Sequence, residues 1–363
     1  MNIAFVHSGF SNSGGIERAV SIILNEMSKR EDYHVVSIEF IKENQQCMGI
    51  DNRVQRFPLF QSPLSMTKAI ATGKIIQKTR KILKENHVDV VIGCGALYFP
   101  VAVIAGRLSG AKSICWEHTN PKVCSDYKFQ KQIRLFGMKH SDANVLITES
   151  AKKYYDSIKR KRNILIYNPV DNQLFAEHTS YDVESQKIIS VGRLCYAKNY
   201  DLLIKIAEKI LNKHVDWSWD IYGGGEEYER LQKLISNTSV ADRLTLKGNA
   251  LNIYELYPQY SFIVMTSRYE GFPMVLLEAA AKSLPLVSFD IETGPNEIIV
   301  DDVNGYLIDA DDSDAMVEKI DALICNSEKR KEMSCNVYDT ALKFSVERIC
   351  KQWYKLLENM EKR

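Results

Sequence analysis

Short apolar runs of four to eight residues alternate with amphipathic stretches of helical period, and the pattern runs twice along the chain. Alternation of this kind constrains the fold more than any single motif, because it calls for a parallel sheet with helices on both faces. In the first round Ile3–His7, His34–Ile41, Val88–Ile92, Ser113–Trp116 and Ala143–Ile147 read as strands. Helices are expected over Gly15–Lys29, Met66–Glu85 and Lys128–Met138. The grammar restarts after the turn-like break Asn168-Pro169-Val170-Asp171. Strands follow at Lys187–Val191, Trp217–Tyr222, Arg243–Lys247, Phe262–Met265 and Leu286–Phe289, with helices over Tyr200–Asn212, Glu226–Ser236 and Val346–Lys362.

The expected class is therefore α/β, with two Rossmann-like doubly wound domains facing a central cleft. Residues 1–168 form the first domain, 169–345 the second, and 346–363 a terminal helix. Length agrees, since 363 residues exceed one ordinary core. A ligand belongs at the carboxyl ends of strands in such sheets.

Composition removes several classes. With 45% hydrophobic and 26% charged residues, disordered and fibrous chains are excluded. Eight cysteines are scattered without a C-x-x-C pair and read as free thiols of a reducing compartment. The chain opens directly on strand residues Asn2–Val6 instead of a cationic leader, so a cytoplasmic location is expected. Val90–Gly106 carries no charge over 17 residues, the lower limit of a membrane span, but a Gly-Cys-Gly turn interrupts it.

Charge is unevenly shared. Residues 1–170 hold 25 Lys and Arg against 14 Asp and Glu, and the remainder holds 22 against 32. Nucleic acid, an anionic lipid surface and a merely solvated face are the three readings of the basic half.

The second round carries the most chemistry. Ser267-Arg268-Tyr269-Glu270-Gly271-Phe272-Pro273 follows a strand and opens a helix running through Val275 and Glu278 to Lys282. Pro273 suits the first helical position. Free backbone N–H groups and the helix dipole there can hold a pyrophosphate, with Gly271, Phe272, Pro273 and Val275 lining the spot. Glu278 lies five residues on, about 7.5 Å along the axis, within reach of a ribose. Glu270 falls on the other side of the phosphates, toward a sugar. An ordinary surface helix with acidic residues is the plainer reading of the same segment.

Gly192-Arg193-Leu194-Cys195-Tyr196-Ala197-Lys198 offers two cations, Arg193 and Lys198, to a diphosphate, or else two surface charges. Ser8 to Arg18, containing Gly14 and Gly15, looks like a phosphate loop but lacks both G-x-G-x-x-G and a Walker lysine. His118, in Glu117-His118-Thr119-Asn120, follows a strand; a lone histidine at such a place is commonly structural. Tyr222-Gly223-Gly224-Gly225-Glu226 reads as a tight turn on the floor of a nucleotide pocket. Asp309-Ala310-Asp311 spells the D-x-D of metal-dependent sugar transferases, yet it precedes a helix and reads as an N-cap. No zinc spacing or kinase set occurs.

With these residues in view, the chain resembles glycosyltransferase family 4, the retaining GT-B enzymes, over nearly its whole length. The likeness is carried by Glu270-x7-Glu278 within E-G-F-P-M-V-L-L-E-A, by Gly192, Arg193 and Lys198, by Gly14, Gly15 and Glu17, and by Thr293-Gly294-Pro295-Asn296-Glu297 with Asn304-Gly305. The resemblance implies that Glu270 contacts donor-sugar hydroxyls and Glu278 the ribose. It gives Arg193 and Lys198 the diphosphate, Gly15 an N–H near the phosphates, and His118 an approach to the sugar. It implies a UDP-hexose or UDP-N-acetylhexosamine donor used as substrate, no cofactor, no metal, and a polyprenyl-diphosphate-linked or surface-glycan acceptor. A final helix crossing back to the first domain and a peripheral place on the inner face of the membrane belong to the same expectation. Pro169 departs from the family's usual Asn-Gly-Val-Asp linker and stiffens it. A GT-B epimerase, a glucan synthase and a non-enzymatic nucleotide- or nucleic-acid-binding module are the competing readings. The absent G-x-G-x-x-G and the lack of aromatics among the basic residues speak against the last.

Overall fold

A computed structural model describes the chain apart from residues 11–13, 42–48, 61–67, 123–127, 159–161, 177–180, 251 and 362–363. Parts of four sequence features lie outside the described residues: Ser11–Ser13 of the glycine loop, Cys47 and Cys124, the start of the helix expected from Met66, and Lys362 at the end of the expected terminal helix. The chain divides into two compact units, Met1–Pro169 with Val346–Arg363, and Val170–Ser345.

In the first unit, strands β1 (Asn2–His7), β2 (His34–Ile41), β3 (Gln55–Phe60), β4 (Val90–Cys94), β5 (Lys112–Glu117), β6 (Ala143–Leu146) and β7 (Asn163–Leu165) make one parallel sheet. Its order is β3-β2-β1-β4-β5-β6-β7. Helices α1 (Gly15–Met27), α2 (Lys68–Glu85), α3 (Phe99–Ser109), α4 (Lys128–His140) and α5 (Glu149–Ile158) connect the strands. Central strands of such a sheet are covered on both faces, which is why β4 reads as a continuous apolar run and every β5 residue after Lys112 is buried.

Two differences from the sequence reading have local causes. The third expected strand begins at Val90 instead of Val88, because Val88 and His87 close the end of α2. His87 takes φ +47°, and the N–H groups of His87 and Val88 bond the carbonyls of Lys84 and Leu83. Strand β3 was not anticipated, since Pro58 interrupts its apolar pattern; the missing N–H is tolerated because β3 is an edge strand. On α2, Ile75 and Leu83 lie in the core, with Ile76 and Ile82 packed against it. Its apolar stripe is therefore consumed by its own sheet and is not free to enter a membrane interface.

The uncharged run from Val90 divides into β4, a single 3-10 turn at Ala96–Tyr98, and α3. Among the described residues no helix is long and apolar enough to cross a membrane.

The second unit repeats the plan. After the short helix α6 (Gln173–Ala176) come β8 (Lys187–Val191), β9 (Ser218–Tyr222), β10 (Leu244–Gly248), β11 (Phe262–Met265), β12 (Leu286–Asp290) and β13 (Gly305–Asp309). They form a parallel sheet of order β10-β9-β8-β11-β12-β13. Helices α7 (Tyr200–Lys213), α8 (Tyr228–Ser236), α9 (Met274–Ala281), α10 (Ser313–Cys325) and α11 (Ser327–Leu342) pack on it. Asp312 caps α10 by accepting the Ala315 N–H, so the capping expected of Asp309-Ala310-Asp311 belongs to the next residue. Asp309 instead ends β13, and Asp311 turns the chain at φ +67°. The last helix, α12 (Val346–Glu361), packs on α1 and belongs to the first unit.

Candidate active-site residues

Strand order reverses between β8 and β11, the two strands from which the second unit's candidate residues emerge. Such a switch point leaves a crevice beyond the carboxyl ends, since the connections on either side run off in opposite directions. The loop after β8 carries Gly192, Arg193 and Lys198. The loop after β11 carries Glu270 and leads into α9.

These two loops are braced together. Arg268 N donates to Ala197 O at 2.8 Å and Thr266 Oγ1 to Lys198 O at 3.1 Å. Across the brace, Lys198 Nζ meets Glu270 Oε1 at 2.5 Å, and Ser267 Oγ donates to the same oxygen at 2.6 Å. Thr293 Oγ1 holds the Glu270 carbonyl. Glu270 is thus fixed through both its side chain and its backbone, by partners from three different loops.

Glycines let the Lys198 side chain reach this position. A Cβ on Gly192 would lie 3.1 Å from Lys198 Cε, and one on Gly223, at φ +144°, would lie 1.9 Å from the Gly192 carbonyl oxygen. The Tyr222-Gly223-Gly224-Gly225 turn therefore backs the β8 loop directly, bonding it from Gly192 N to Tyr222 O and from Leu194 N to Gly224 O. Arg193 goes elsewhere. Its guanidinium pairs with Glu226 at 3.0 Å on the surface, and the structure does not bring it to Lys198 and Glu270.

Helix α9 starts at Met274; Pro273 is its N-cap, with φ −77° and ψ 91°, and not its first helical residue. The reason is visible in Gly294, whose turn presses on the proline: a Cβ there would stand 2.5 Å from Pro273 Cδ. Leu276 N–H bonds the Pro273 carbonyl at 3.1 Å, and the amides of Met274 and Val275 before it have no helix carbonyl to meet. Phe272 and Pro273 are buried, while Gly271 and Val275 are partly exposed. Glu278 is buried on α9 and accepts a hydrogen bond from Tyr257 Oη at 3.2 Å. Asn304 and Gly305 have structural duties. Asn304 bridges Ile298 O and Thr340, and a Cβ on Gly305 would strike the Leu286 carbonyl.

In the first unit the switch lies between β1 and β4. Gly14 caps α1 and Gly15 begins it, and a Cβ on Gly14 would lie 2.5 Å from Glu17 Oε2. Glu17 in turn accepts from Ser8 Oγ at 3.1 Å, tying the two ends of the glycine loop.

His118 follows β5. It is 5% exposed, and among the described residues neither ring nitrogen has a hydrogen-bond partner. Burial alone lowers its pKa to about 3, so the ring is neutral at ordinary pH. Both chain neighbours are clamped. Glu117 accepts from Thr119 Oγ1 at 2.7 Å and from Tyr155 Oη at 3.2 Å, and Arg134 contacts it at 2.7 Å.

Sequence reasoning missed Ser267, Tyr257 and Glu226 as partners, because spacing along a chain does not show which loops meet. Among the described residues, His214, Asp321 and Cys325 form a group of possible metal ligands, but Lys213 already neutralises Asp321 at 2.8 Å.

Two family models match the chain, Glycosyltransferase Family 4 over residues 13–174 and Glycosyl transferases group 1 over residues 172–340. The chain belongs to glycosyltransferase family 4. Among relatives of this family 4 enzyme, the amylovoran biosynthesis glycosyltransferase AmsD of Erwinia amylovora is 26% identical over 96% of this chain and 97% of its own. A Campylobacter jejuni enzyme is also 26% identical, over 99% of both chains. Its name is GalNAc-alpha-(1->4)-GalNAc-alpha-(1->3)-diNAcBac-PP-undecaprenol alpha-1,4-N-acetyl-D-galactosaminyltransferase. A variant of S. aureus TarM, solved with fondaparinux, alpha-GlcNAc-glycerol and UDP, superposes with a TM-score of 0.82 at 16% identity, covering 98% of this chain and 99% of that one. At that identity the likeness shows the fold, which is GT-B.

Proposed function

We propose that this family 4 enzyme transfers a hexose or N-acetylhexosamine from a UDP-sugar, with retention of configuration and without a metal ion, to a lipid-linked or surface glycan. The observation that carries the reading is the meeting of Lys198 with Glu270 at the β8–β11 switch, beside the start of α9 at Met274, which lies four residues before Glu278. It supplies a cation, a helix dipole and two carboxylates in the order in which a diphosphate, a sugar and a ribose would need them.

In this reading the α9 amides and Lys198 hold the diphosphate, and Arg193 leaves Glu226 to join them. Glu278 accepts from the ribose hydroxyls and Glu270 from the sugar. The C1–O bond to the diphosphate breaks, and its electron pair goes to the departing phosphate oxygen. The acceptor oxygen forms its bond to C1 from that same face, and its proton passes to the departing diphosphate. Catalysis is then positioning and stabilisation of leaving-group charge, and no side chain attacks C1. A nucleophilic Glu270 is disfavoured by its bonds to Lys198 and Ser267. The family resemblance gives Gly15, next to Gly14, an N–H near the phosphates, and it brings His118 to the sugar, where a hydrogen bond would satisfy a ring without a partner among the described residues.

The acceptor class rests on the relatives, one named for amylovoran biosynthesis and one for a PP-undecaprenol-linked glycan. A thermal-shift panel of nucleotide sugars tests the donor, because a ligand at a hundred times its dissociation constant stabilises by about 2.7 kcal/mol. UDP-sugars are expected to shift the melt most, and the transferred sugar to keep its anomeric configuration by proton NMR. A shift with other nucleotides only, or an inverted product, would overturn this assignment.

A further inference from the structure

We propose that Trp353, on the terminal helix α12, is a positioning residue for His118 and acts through Trp116. The proposal rests on the reading of His118 as the group that meets the sugar. Among the described residues neither nitrogen of this imidazole has a hydrogen bond, so packing sets its orientation. Its backbone is pinned on both sides through Glu117 and Thr119, so the free variable is the ring itself. That ring lies against Trp116, with centroids 4.3 Å apart at 47°. Trp116 is in turn met edge-on by Trp353, with centroids 4.9 Å apart at 71°. Both indoles are fully buried, and an edge-to-face pair of this kind has a preferred geometry that a purely aliphatic contact lacks.

The helix that brings Trp353 is registered on the same strand. Lys112, the first residue of β5, donates its ammonium to the Met360 carbonyl near the end of α12, while Trp353 meets Trp116 near the end of β5. Ile349, Trp353, Leu356, Leu357 and Met360 form the buried face that seats the helix. The segment beyond the second unit thus contributes a specific side chain behind His118 as well as general burial.

The test uses the full chain and four variants: Trp353→Leu, Trp353→Phe, Trp353→Met and His118→Gln. His118→Gln identifies the His118 ring protons in the NMR spectrum by their disappearance. In the parent chain these protons are expected to be displaced by the Trp116 ring current, with the ring centroids 4.3 Å apart. Trp353→Leu is expected to move them toward free-histidine positions and to lower kcat for nucleotide-sugar turnover on the order of tenfold or more, as small misplacements near a reacting centre do. The dissociation constant for UDP should stay within about twofold, since Lys198 and Glu278 are untouched. Trp353→Phe keeps an aromatic edge and should restore both the ring-proton positions and kcat. If Trp353→Leu does not fold, Trp353→Met carries the same comparison.

Unmoved His118 protons in a folded Trp353→Leu chain overturn the proposal. So does an unchanged kcat per folded enzyme when His118→Gln lowers it. If His118→Gln itself leaves turnover intact, the sugar-contact reading fails, and the ring-proton positions alone then decide the positioning.

Discussion

The ammonium of Lys198 stands 2.5 Å from Glu270 Oε1, with the two side chains only 18% and 12% exposed. In the ligand-free protein each of these groups neutralises the other, so a diphosphate approaching Lys198 must compete with Glu270. Removing either partner strands a largely buried charge, and we expect Lys198→Ala and Glu270→Ala each to cost about 2 kcal/mol or more of stability. The double variant should lose clearly less than the two losses combined, because it strands neither charge. Urea unfolding of the three variants checks this, and strict additivity would show that the pair is not coupled.

Glu278 and Glu270 should separate by ligand. Glu278→Ala is expected to weaken binding of free UDP by about 1.5–3 kcal/mol through lost charged hydrogen bonds. Glu270→Ala should spare UDP and cripple transfer from the intact sugar nucleotide. Calorimetry with UDP alone distinguishes them, and equal losses would mean that the two carboxylates are misassigned.

Acid should destabilise the first unit through its buried histidines. Burial lowers the His7 pKa to about 4 and that of His118 to about 3, both below the ordinary 6.5. A depressed histidine stabilises the fold above its unfolded pKa, and that stability is lost as pH falls from about 6.5 toward the folded values. From pH 7 to pH 5 each histidine should cost about 2 kcal/mol, at 1.36 kcal/mol per pKa unit. His118→Gln cannot take up the proton, so its urea midpoint should fall less over that interval than the parent's. Identical falls would remove His118 from the account.

Transfer should survive chelation. With Lys198, Arg193 and the α9 start carrying the leaving-group charge, EDTA is expected to leave the rate unchanged. Loss of activity restored by magnesium or manganese would reopen Asp309-Ala310-Asp311 as a metal site.

Any membrane contact should be electrostatic, because the apolar face of α2 is spent on its own core. Lys74, Lys78, Lys81 and Lys84 are all exposed, and of these Lys78 donates to the Leu59 carbonyl at 2.6 Å. We expect binding to anionic liposomes at low salt, absent at high salt and absent in a chain with Lys74, Lys81 and Lys84 changed to Glu. No co-sedimentation at low salt would leave a soluble acceptor as the better reading.

Much of the architecture was legible because its signals are local. Apolar runs such as Phe262–Met265 and Lys187–Val191 mark strands without reference to anything distant, and the structure returns both with the same ends. Strand β3 and helix α5 escaped for the converse reason. One contains a proline tolerated only at an edge, and the other keeps just Ala151 and Tyr155 buried along its length.

The candidate site divides along the same line. Sequence alone determined that a loop bearing Glu270 opens a helix bearing Glu278, and that a glycine precedes Arg193 and Lys198, because those relations are fixed within a few residues. Only the tertiary structure decided that Lys198 meets Glu270 while Arg193 turns to Glu226, and that a tryptophan from the last helix stands behind the one beneath His118. These are contacts between residues 72, 33 and more than two hundred positions apart, set by strand order and by which loops the sheet brings together. No periodicity encodes such distances; they follow from packing every buried face at once.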